Sequence, residues 1–195
     1  MASGFMKRVL TPAVLAEQSR AYGRQYSVPD EAAADLLGVE EMKFISRRDS
    51  FYMATNNEES WPYIQHRGGP RGFLKVLSPT LIAFGDMKGN RQLLSRGNIV
   101  RNNRVSLFLM DYPNRERLKI LGLATILEAK SNPEWVENVQ VPGTSKAAIE
   151  RIFLIEIEGY DWNCPQHITP RYTPDEVEEL MAPLRARIAE LESRQ

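Results

Sequence analysis

The sequence predicts a mainly β protein, an antiparallel barrel with helical extensions at both ends. In the central part of the chain, residues 49–172, short runs rich in β-branched and aromatic residues alternate with turn signals. The parts before and after it, residues 1–48 and 173–195, have helical periodicity instead. Many strands joined by short turns favour an antiparallel barrel over a parallel sheet, which needs a long crossover between successive strands.

Three helices are predicted in the N-terminal extension. Residues 13–18 are rich in helix formers, residues 30–37 form a second run that ends at Gly38, and residues 40–47 look like a third short helix. We expect these helices to flank the barrel.

The central region contains seven predicted strands and one predicted helix. A polar loop at residues 56–60 makes a hairpin of the first two strands, and the helix Arg91–Asn102 divides the series. Gly122 interrupts the longest strand and predicts a bulge or bend there. The predicted strands are Phe51–Thr55, Trp61–His66, Gly72–Leu77, Thr80–Gly85, Val105–Met110, Arg117–Leu127 and Ile152–Glu158.

The C-terminal extension is predicted to be one amphipathic helix. Thr173 to Glu176 form a capping box with proline at the first helical position. Two interpretations of the helix stay open, because its apolar face can pack on the protein's own barrel or make a dimer contact. That face consists of Val177, Leu180, Met181, Leu184, Ile188 and Leu191.

Composition sets limits on function. The 195 residues carry 25 Lys and Arg against 25 Asp and Glu, so no overall field favours nucleic acid or an anionic membrane as a partner. Cys164 is the single cysteine, which excludes an intramolecular disulfide and argues against a cysteine-based metal cluster, so no metal site is predicted. Neither a signal peptide nor a membrane-spanning run is recognisable, and we expect a cytoplasmic protein.

The stretch from Gln65 to Arg91 has the composition of an anion site. Arg67, Arg71 and Lys75 lie at the ends of strand-like runs, and Gly89–Arg91 lies where a strand gives way to the predicted helix. Backbone N–H groups and the positive end of a helix dipole would meet there. The spacing matches neither the Walker nor the dinucleotide glycine pattern. The alternative is that the glycine segment is a turn and the cations are solvated.

Several segments in register resemble the pyridoxamine 5'-phosphate oxidase-like FMN-binding split barrels, over roughly residues 44–162. These segments are Arg71–Lys75, Leu81–Phe84, Gly89–Arg91, Asn103–Phe108 and Arg117–Gly122. The resemblance implies a split barrel that binds FMN in a cleft between two protomers of a homodimer. It implies that Lys75 and Arg91 contact the phosphate or the flavin, with Asn90 as a polar neighbour.

The sequence departs from the oxidase itself. Asn90, Arg91 and Gln92 stand where the oxidase has Ser-Arg-Lys, so one phosphate cation is missing, and Arg67 or Arg71 would have to replace it. Arg117 stands where the oxidase has a glutamine on the long strand, and the oxidase's C-terminal substrate segment is not recognisable. Oxidation of pyridoxamine phosphate is therefore not expected.

The loop after the last strand, residues 160–172, resembles a Trp-Asn-Cys-Pro-Gln-His signature found in a subgroup of these proteins. One interpretation places Trp162 and His167 over the flavin or the substrate. In the other, Trp162 and Cys164 fill the core and His167 caps a backbone group.

These residues lead to the hypothesis of an FMN-dependent oxidoreductase that acts on a small molecule as a homodimer, with a nicotinamide nucleotide as a candidate partner. Arg67, Arg71 or Arg117 would supply positive charge near the flavin pyrimidine, and no catalytic residue is assigned. The alternatives are a non-catalytic flavin carrier or sensor, a barrel that binds deazaflavin or haem, and a structural dimerisation protein. Haem would leave His66 and His167 as the histidine candidates for an axial ligand.

Overall fold

A computed structural model describes residues 3–28, 30, 32–89, 91–162 and 165–194. The chain divides into two compact units. The first comprises residues 1–110 and 117–163, and the second comprises residues 111–116 and 164–195.

Within the described residues, six α-helices surround one antiparallel sheet of seven strands in the order β2-β1-β5-β6-β7-β4-β3. The edge strands β2 and β3 do not pair, so the sheet is open in the part of the chain that the structure describes. This confirms the predicted fold class, an antiparallel split barrel with helices at both ends. The helices are α1 Ser3–Val9, α2 Pro12–Tyr22, α3 Val39–Ser46, α4 Leu94–Arg101, α5 Pro133–Val139 and α6 Pro174–Glu192. The strands are β1 Ser50–Asn56, β2 Pro62–Gly68, β3 Lys75–Ser78, β4 Leu81–Met87, β5 Arg104–Asp111, β6 Glu116–Glu128 and β7 Ile149–Trp162.

The sheet curls around an aromatic core. Phe51 on β1 meets Phe84 on β4 edge-on with ring centroids 5.3 Å apart, although the strand order places three strands between them. Phe84 also stacks on Phe153 of β7, with centroids 4.8 Å apart. All three rings are almost completely buried, and burial of such rings contributes a large share of the free energy of folding. The inward side chains of β2 therefore face those of β4 and β7.

The predicted irregularity at Gly122 is confirmed. Leu121 pairs with Gly159 but Gly122 pairs with Ile157, so Glu158 is an extra residue on β7. A Cβ at position 122 would lie 2.6 Å from the carbonyl oxygen of Glu156, which is why the position needs glycine.

The helix predicted at residues 30–37 is wrong, because residues 32–37 follow a non-helical path. The Asp35 carboxylate accepts hydrogen bonds from the backbone N–H groups of Gly4 and Phe5 at 2.8 and 2.9 Å, and so caps α1. Leu37 is buried and donates its N–H to the carbonyl oxygen of Pro79. Tertiary contacts therefore override the helix propensity of this segment.

Two further elements differ from expectation. Helix α4 begins at Leu94 rather than at Arg91, because Arg91 and Leu93 have left-handed φ angles of 60° and 55° that a helix excludes. Helix α5 was not predicted, and it buries Val136 and Val139 in a small apolar cluster with Ala83 and Ile152.

The second unit contains the predicted C-terminal helix. The capping box is present, since the N–H of Glu176 donates to Thr173 Oγ1 and the N–H of Thr173 donates to the Glu176 carboxylate. Nearby in the same unit, the Arg171 guanidinium lies 5.1 Å from the ring centroid of Tyr112. Among the described residues, none of the helices combines the length and the apolar character that crossing a membrane requires.

Candidate cofactor site

A cavity opens in the first unit between β2, the end of β4, β7 and the start of α4. Its volume is about 220 Å³, below the range of about 300–1,000 Å³ that sites for whole drug-sized molecules occupy, so it can enclose only part of such a ligand. The described residues that line it are Tyr63, Gln65, Arg67, Asp86, Met87, Gly89, Arg91, Gln92, Leu93, Leu94, Ser95, Arg96, Arg151 and Phe153.

Positive charge dominates this lining. Among the described lining residues, four arginines, Arg67, Arg91, Arg96 and Arg151, accompany a single carboxylate, Asp86. The chain as a whole is neutral, so this excess is local. Such a wall attracts an anion and offers it several N–H donors.

Asp86 connects two of these arginines in a nearly buried ion cluster. Its Oδ1 accepts from Arg67 Nη1 at 2.7 Å, and its Oδ2 accepts from Arg151 Nε at 2.9 Å. The three side chains are only 12–15% exposed. Burial lowers the pKa of Arg151, but the hydrogen bond that Arg151 donates to Asp86 and the charges of Asp86 and Glu150 raise it overall, so Arg151 is cationic. The cluster joins β2 to the β4–β7 pair through side chains.

Arg67 is the inner wall of the cavity. Its guanidinium lies over the rings of Phe84 and Phe153, at 5.7 and 5.2 Å from their centroids. Its Nε is buried and has no hydrogen-bond partner among the described residues. An unsatisfied buried donor costs about 1–3 kcal/mol, more when it is charged. A bound acceptor would remove that cost.

The start of α4 forms another part of the wall. Its N-cap residue Leu93 makes no side-chain cap hydrogen bond to the N–H groups of the first turn. Ser95 is 1% exposed and donates its hydroxyl to Gln65 Oε1 at 2.8 Å, which fixes the helix against β2. Arg96 pairs at 2.7 Å with Glu128 in a largely exposed ion pair.

The cavity unites some of the predicted phosphate contacts. Arg67 and Arg91 line it together, whereas Arg71 is exposed in a turn and Lys75 begins β3 opposite Ala83, and neither belongs to the described lining. Asn90, the predicted polar neighbour, lies outside the described residues.

Arg151 and Asp86 were missed by sequence reasoning. Asp86 lies one residue after the predicted strand Thr80–Gly85, and Arg151 lies one residue before the predicted strand Ile152–Glu158, so neither was recognised as a charge inside the sheet that needs a partner. Nothing in the sequence singled out Arg96.

Arg117, the last predicted arginine, lies on the opposite side of the sheet. Its guanidinium is 5.9 Å from the ring centroid of Phe108. Phe108 pairs with Tyr52 on β1, and the ring of Tyr52 contacts the ring of His66. Tyr52 is 40% exposed and its neighbour on β2, Ile64, is 65% exposed. We call these five residues the outer sheet face. Arg117 Nε is also buried without a hydrogen-bond partner among the described residues.

Trp162 has the contacts of a core residue. Its Nε1 donates to Glu41 Oε1 at 2.6 Å, and its ring meets Phe44 edge-on at 4.8 Å. These contacts agree with the second interpretation of the loop, and a place over the flavin stays a prediction. His167 belongs to the second unit, where it is exposed with a left-handed φ of 63°, and its predicted role stays a prediction. Cys164 lies outside the described residues.

Comparison with known proteins gives structural likenesses only. Neither a protein-family model nor a curated protein sequence matches the chain significantly. A variant of HupZ from Group A Streptococcus is similar with a TM-score of 0.50 and 13% identity, over 66% of this chain and all of that one. A Clostridium acetobutylicum protein related to general stress protein 26 of B. subtilis, of the pyridoxinephosphate oxidase family, has a TM-score of 0.47 and 15% identity, over 71% of this chain and 95% of that one.

An FMN-binding protein from Syntrophomonas wolfei is also similar, with a TM-score of 0.47 and 9% identity over 64% of this chain and 87% of that one. The likeness to HupZ, with its TM-score of 0.50, shows a shared fold alone and leaves the roles of residues open. The chain has the split-barrel fold that its sequence motifs predict.

Proposed function

We propose that this protein binds FMN, with the phosphate group in the arginine-lined cavity, and that it acts as an FMN-dependent oxidoreductase on a small molecule. The observation that carries the proposal is the buried Nε of Arg67, which has no hydrogen-bond partner among the described residues, in a wall whose described part has four arginines and one carboxylate. A phosphate monoester brings about 1.5–2 negative charges and three strong acceptor oxygens, which is the group that such a wall lacks.

The residues of the cavity fit a phosphate in charge and in rigidity. Asp86 fixes Arg67 and Arg151, so these two donors need little ordering when an anion binds. Arg91 lies at the exposed rim, where it can fold onto a ligand, and the uncapped first turn of α4 adds backbone donors.

Bound FMN would supply the transfer of hydride or electrons, and the protein would supply binding, orientation and charge. In this proposal Arg117 on the outer sheet face of one copy offers a cation to the flavin ring of the FMN whose phosphate the other copy binds, where it would stabilise the negative charge of the reduced form. A nicotinamide nucleotide is the proposed electron donor, and a cytoplasmic location is part of the same proposal.

A homodimer is the proposed assembly, with the outer sheet face in its interface. This face combines exposed apolar side chains with the buried, unpartnered Nε of Arg117. A second copy, or flavin held between two copies, would cover the apolar groups and provide an acceptor for that nitrogen.

The visible absorption spectrum and the molar mass of the purified protein test the proposal. We expect flavin bands, either as purified or after FMN is added, and the mass of a dimer by light scattering. Arg91→Ala should weaken FMN binding by about tenfold, because a charge-assisted hydrogen bond contributes about 1.5–3 kcal/mol and the residue is exposed. Arg101→Ala is the control, since Arg101 is an exposed α4 arginine outside the described cavity lining.

A colourless protein that takes up no added FMN would contradict the proposal. A deazaflavin or a haem would show its own bands, and a Soret band would identify haem. Reduction of the bound flavin by a nicotinamide nucleotide, followed by its oxidation by candidate acceptors, separates an enzyme from a flavin carrier.

A further inference from the structure

Helix α6 has a heptad repeat along one face. Five of its six large apolar residues, Val177, Met181, Leu184, Ile188 and Leu191, follow one another at intervals of 4, 3, 4 and 3 residues, and the sixth, Leu180, lies beside them. This is the spacing of the a and d positions of a coiled coil, with Met181 and Ile188 at a and the other three at d. A surface helix that packs on a globular core usually has a wider, less regular stripe.

The side chains of this face are exposed. All residues of α6 from Val177 onwards are exposed, and the five heptad side chains are 39–58% exposed. Leu180 beside them is 57% exposed. A continuous row of large apolar side chains in water is unfavourable, so a partner is expected to cover it.

The identity of the heptad residues indicates the kind of partner. A β-branched residue at a with leucine at d favours two parallel strands, and Ile188 with Leu184 and Leu191 has this arrangement. In a parallel pair, Arg187 at position g would face Glu192 at position e of the second copy, and the opposite charges attract. Parallel pairing also places all five heptad residues in matching layers.

We infer that α6 pairs with α6 of a second copy of this chain as a short parallel two-stranded coiled coil. Pro183 occupies an outward c position, so its ring stays out of the seam, although it removes the backbone hydrogen bond to the carbonyl of residue 179. The repeat covers about two heptads, which is short for an independent coiled coil. The inference therefore rests on the proposed homodimer, which would raise the effective concentration of the two helices to about the millimolar range.

Cysteine cross-linking in the full-length protein tests the inference. Leu191→Cys is placed in a Cys164→Ser background, so that the introduced thiol is the sole one in each chain. Under mild oxidation we expect a disulfide-linked dimer on a non-reducing gel, because the d positions of a parallel pair are adjacent. Ser193→Cys in the same background is the matched control, since Ser193 lies near the same helix end but at the outward f position.

The expected result is a cross-linking rate at least about tenfold higher for Leu191→Cys than for Ser193→Cys, as an effective concentration above the bulk concentration requires. Adding Leu184→Glu to Leu191→Cys should abolish the difference, whereas Ala186→Glu, at an outward position, should preserve it. Equal rates for both cysteines overturn the inference. An antiparallel pair also overturns it, because the two copies of Leu191 would then lie at opposite ends and would not cross-link.

The molar mass separates this inference from the proposed function. Equal cross-linking rates in a protein that is dimeric and binds FMN would refute the coiled coil alone. Equal rates in a monomer would refute the proposed homodimer as well.

Discussion

The arginine-lined cavity and the outer sheet face each contain a guanidinium whose Nε is buried without a partner among the described residues. They differ in how the positive charge is balanced. Arg67 in the cavity is held by Asp86 at 2.7 Å, in a cluster that also holds Arg151. Arg117 on the outer sheet face rests against the ring of Phe108, and no ion pair of Arg117 is found within the described residues.

The two regions therefore differ in whether they need an acceptor from outside the chain. The protein itself supplies a counter-ion for Arg67, so the cavity can persist as a formed, positively charged site before an anion binds. Arg117 has aromatic support alone, so the outer sheet face needs an acceptor from a second copy or a ligand. The cavity, with its own counter-ion, has the character of a phosphate site. The outer sheet face, which needs an acceptor from outside, has the character of a contact with the flavin ring or with a second copy.

The largest expected effect comes from removal of the counter-ion of the cavity. Asp86→Ala leaves Arg67 and Arg151 close together without their shared carboxylate, and both are nearly buried. Breaking one partner of a buried pair costs about 3–5 kcal/mol, and we expect about 3 kcal/mol here because the side chains keep some exposure. The free energy of unfolding from urea denaturation measures this loss.

Glu58→Ala is the control for that variant. Glu58 pairs with Arg101 in an ion pair whose side chains are 67–68% exposed, so its removal should cost about 0.5 kcal/mol or less. Phosphate added to the buffer should recover part of the stability of Asp86→Ala by replacing the lost negative charge. Equal losses for Asp86→Ala and Glu58→Ala would show that the cavity cluster is no more coupled to folding than an exposed pair.

The next largest effect is expected in the affinities for FMN and riboflavin when Arg67 or Arg117 is replaced. Arg67→Ala should weaken FMN binding by about 30-fold, or about 2 kcal/mol, because it removes a charge-assisted contact to phosphate. Riboflavin lacks the phosphate, so its affinity should be almost unchanged. Arg117→Ala should instead weaken both ligands by a similar factor of about fivefold, since the proposed contact is to the ring or to the interface around it.

Quenching of flavin fluorescence gives the four dissociation constants. The comparison between the regions fails if Arg67→Ala weakens the binding of FMN and of riboflavin equally, since the Arg67 guanidinium would then not contact the phosphate. It fails also if Arg117→Ala affects FMN alone. Light scattering on Arg117→Ala shows whether a loss of dimer accounts for its effect.

The strands were predictable from sequence because their pattern is local. In β5 the buried residues Val105, Leu107 and Leu109 alternate with partly exposed neighbours, and such alternation can be read without knowing the fold. The helix predicted at residues 30–37 failed because Asp35 caps a helix 30 residues away, an interaction that local propensity does not contain. The capping box of α6 succeeded because both of its partners lie within one turn.

The cavity was only half predictable for the same reason. Arg67 and Arg91 belong to a visibly basic stretch, whereas Arg151 joins them through the pairing of β7 with β4. That pairing places Arg151 opposite Asp86, and the curl of the sheet then brings Arg67 on β2 to 2.7 Å from the same carboxylate. Neither the strand order nor the curl follows from the composition of a single segment.

The smallest expected effect concerns Arg96, which lines the cavity but pairs with Glu128 across an exposed surface, where the side chains are 40% and 51% exposed. Arg96→Ala should change the free energy of unfolding by about 0.5 kcal/mol or less and weaken FMN binding by about threefold, because water screens this charge. The same titration at high salt should remove the effect on FMN, while the loss caused by Arg67→Ala should persist, since Arg67 is buried. A loss at Arg96 as large as that at Arg67 would mean that the phosphate lies at the start of α4, and the buried cluster would then only support the wall behind it.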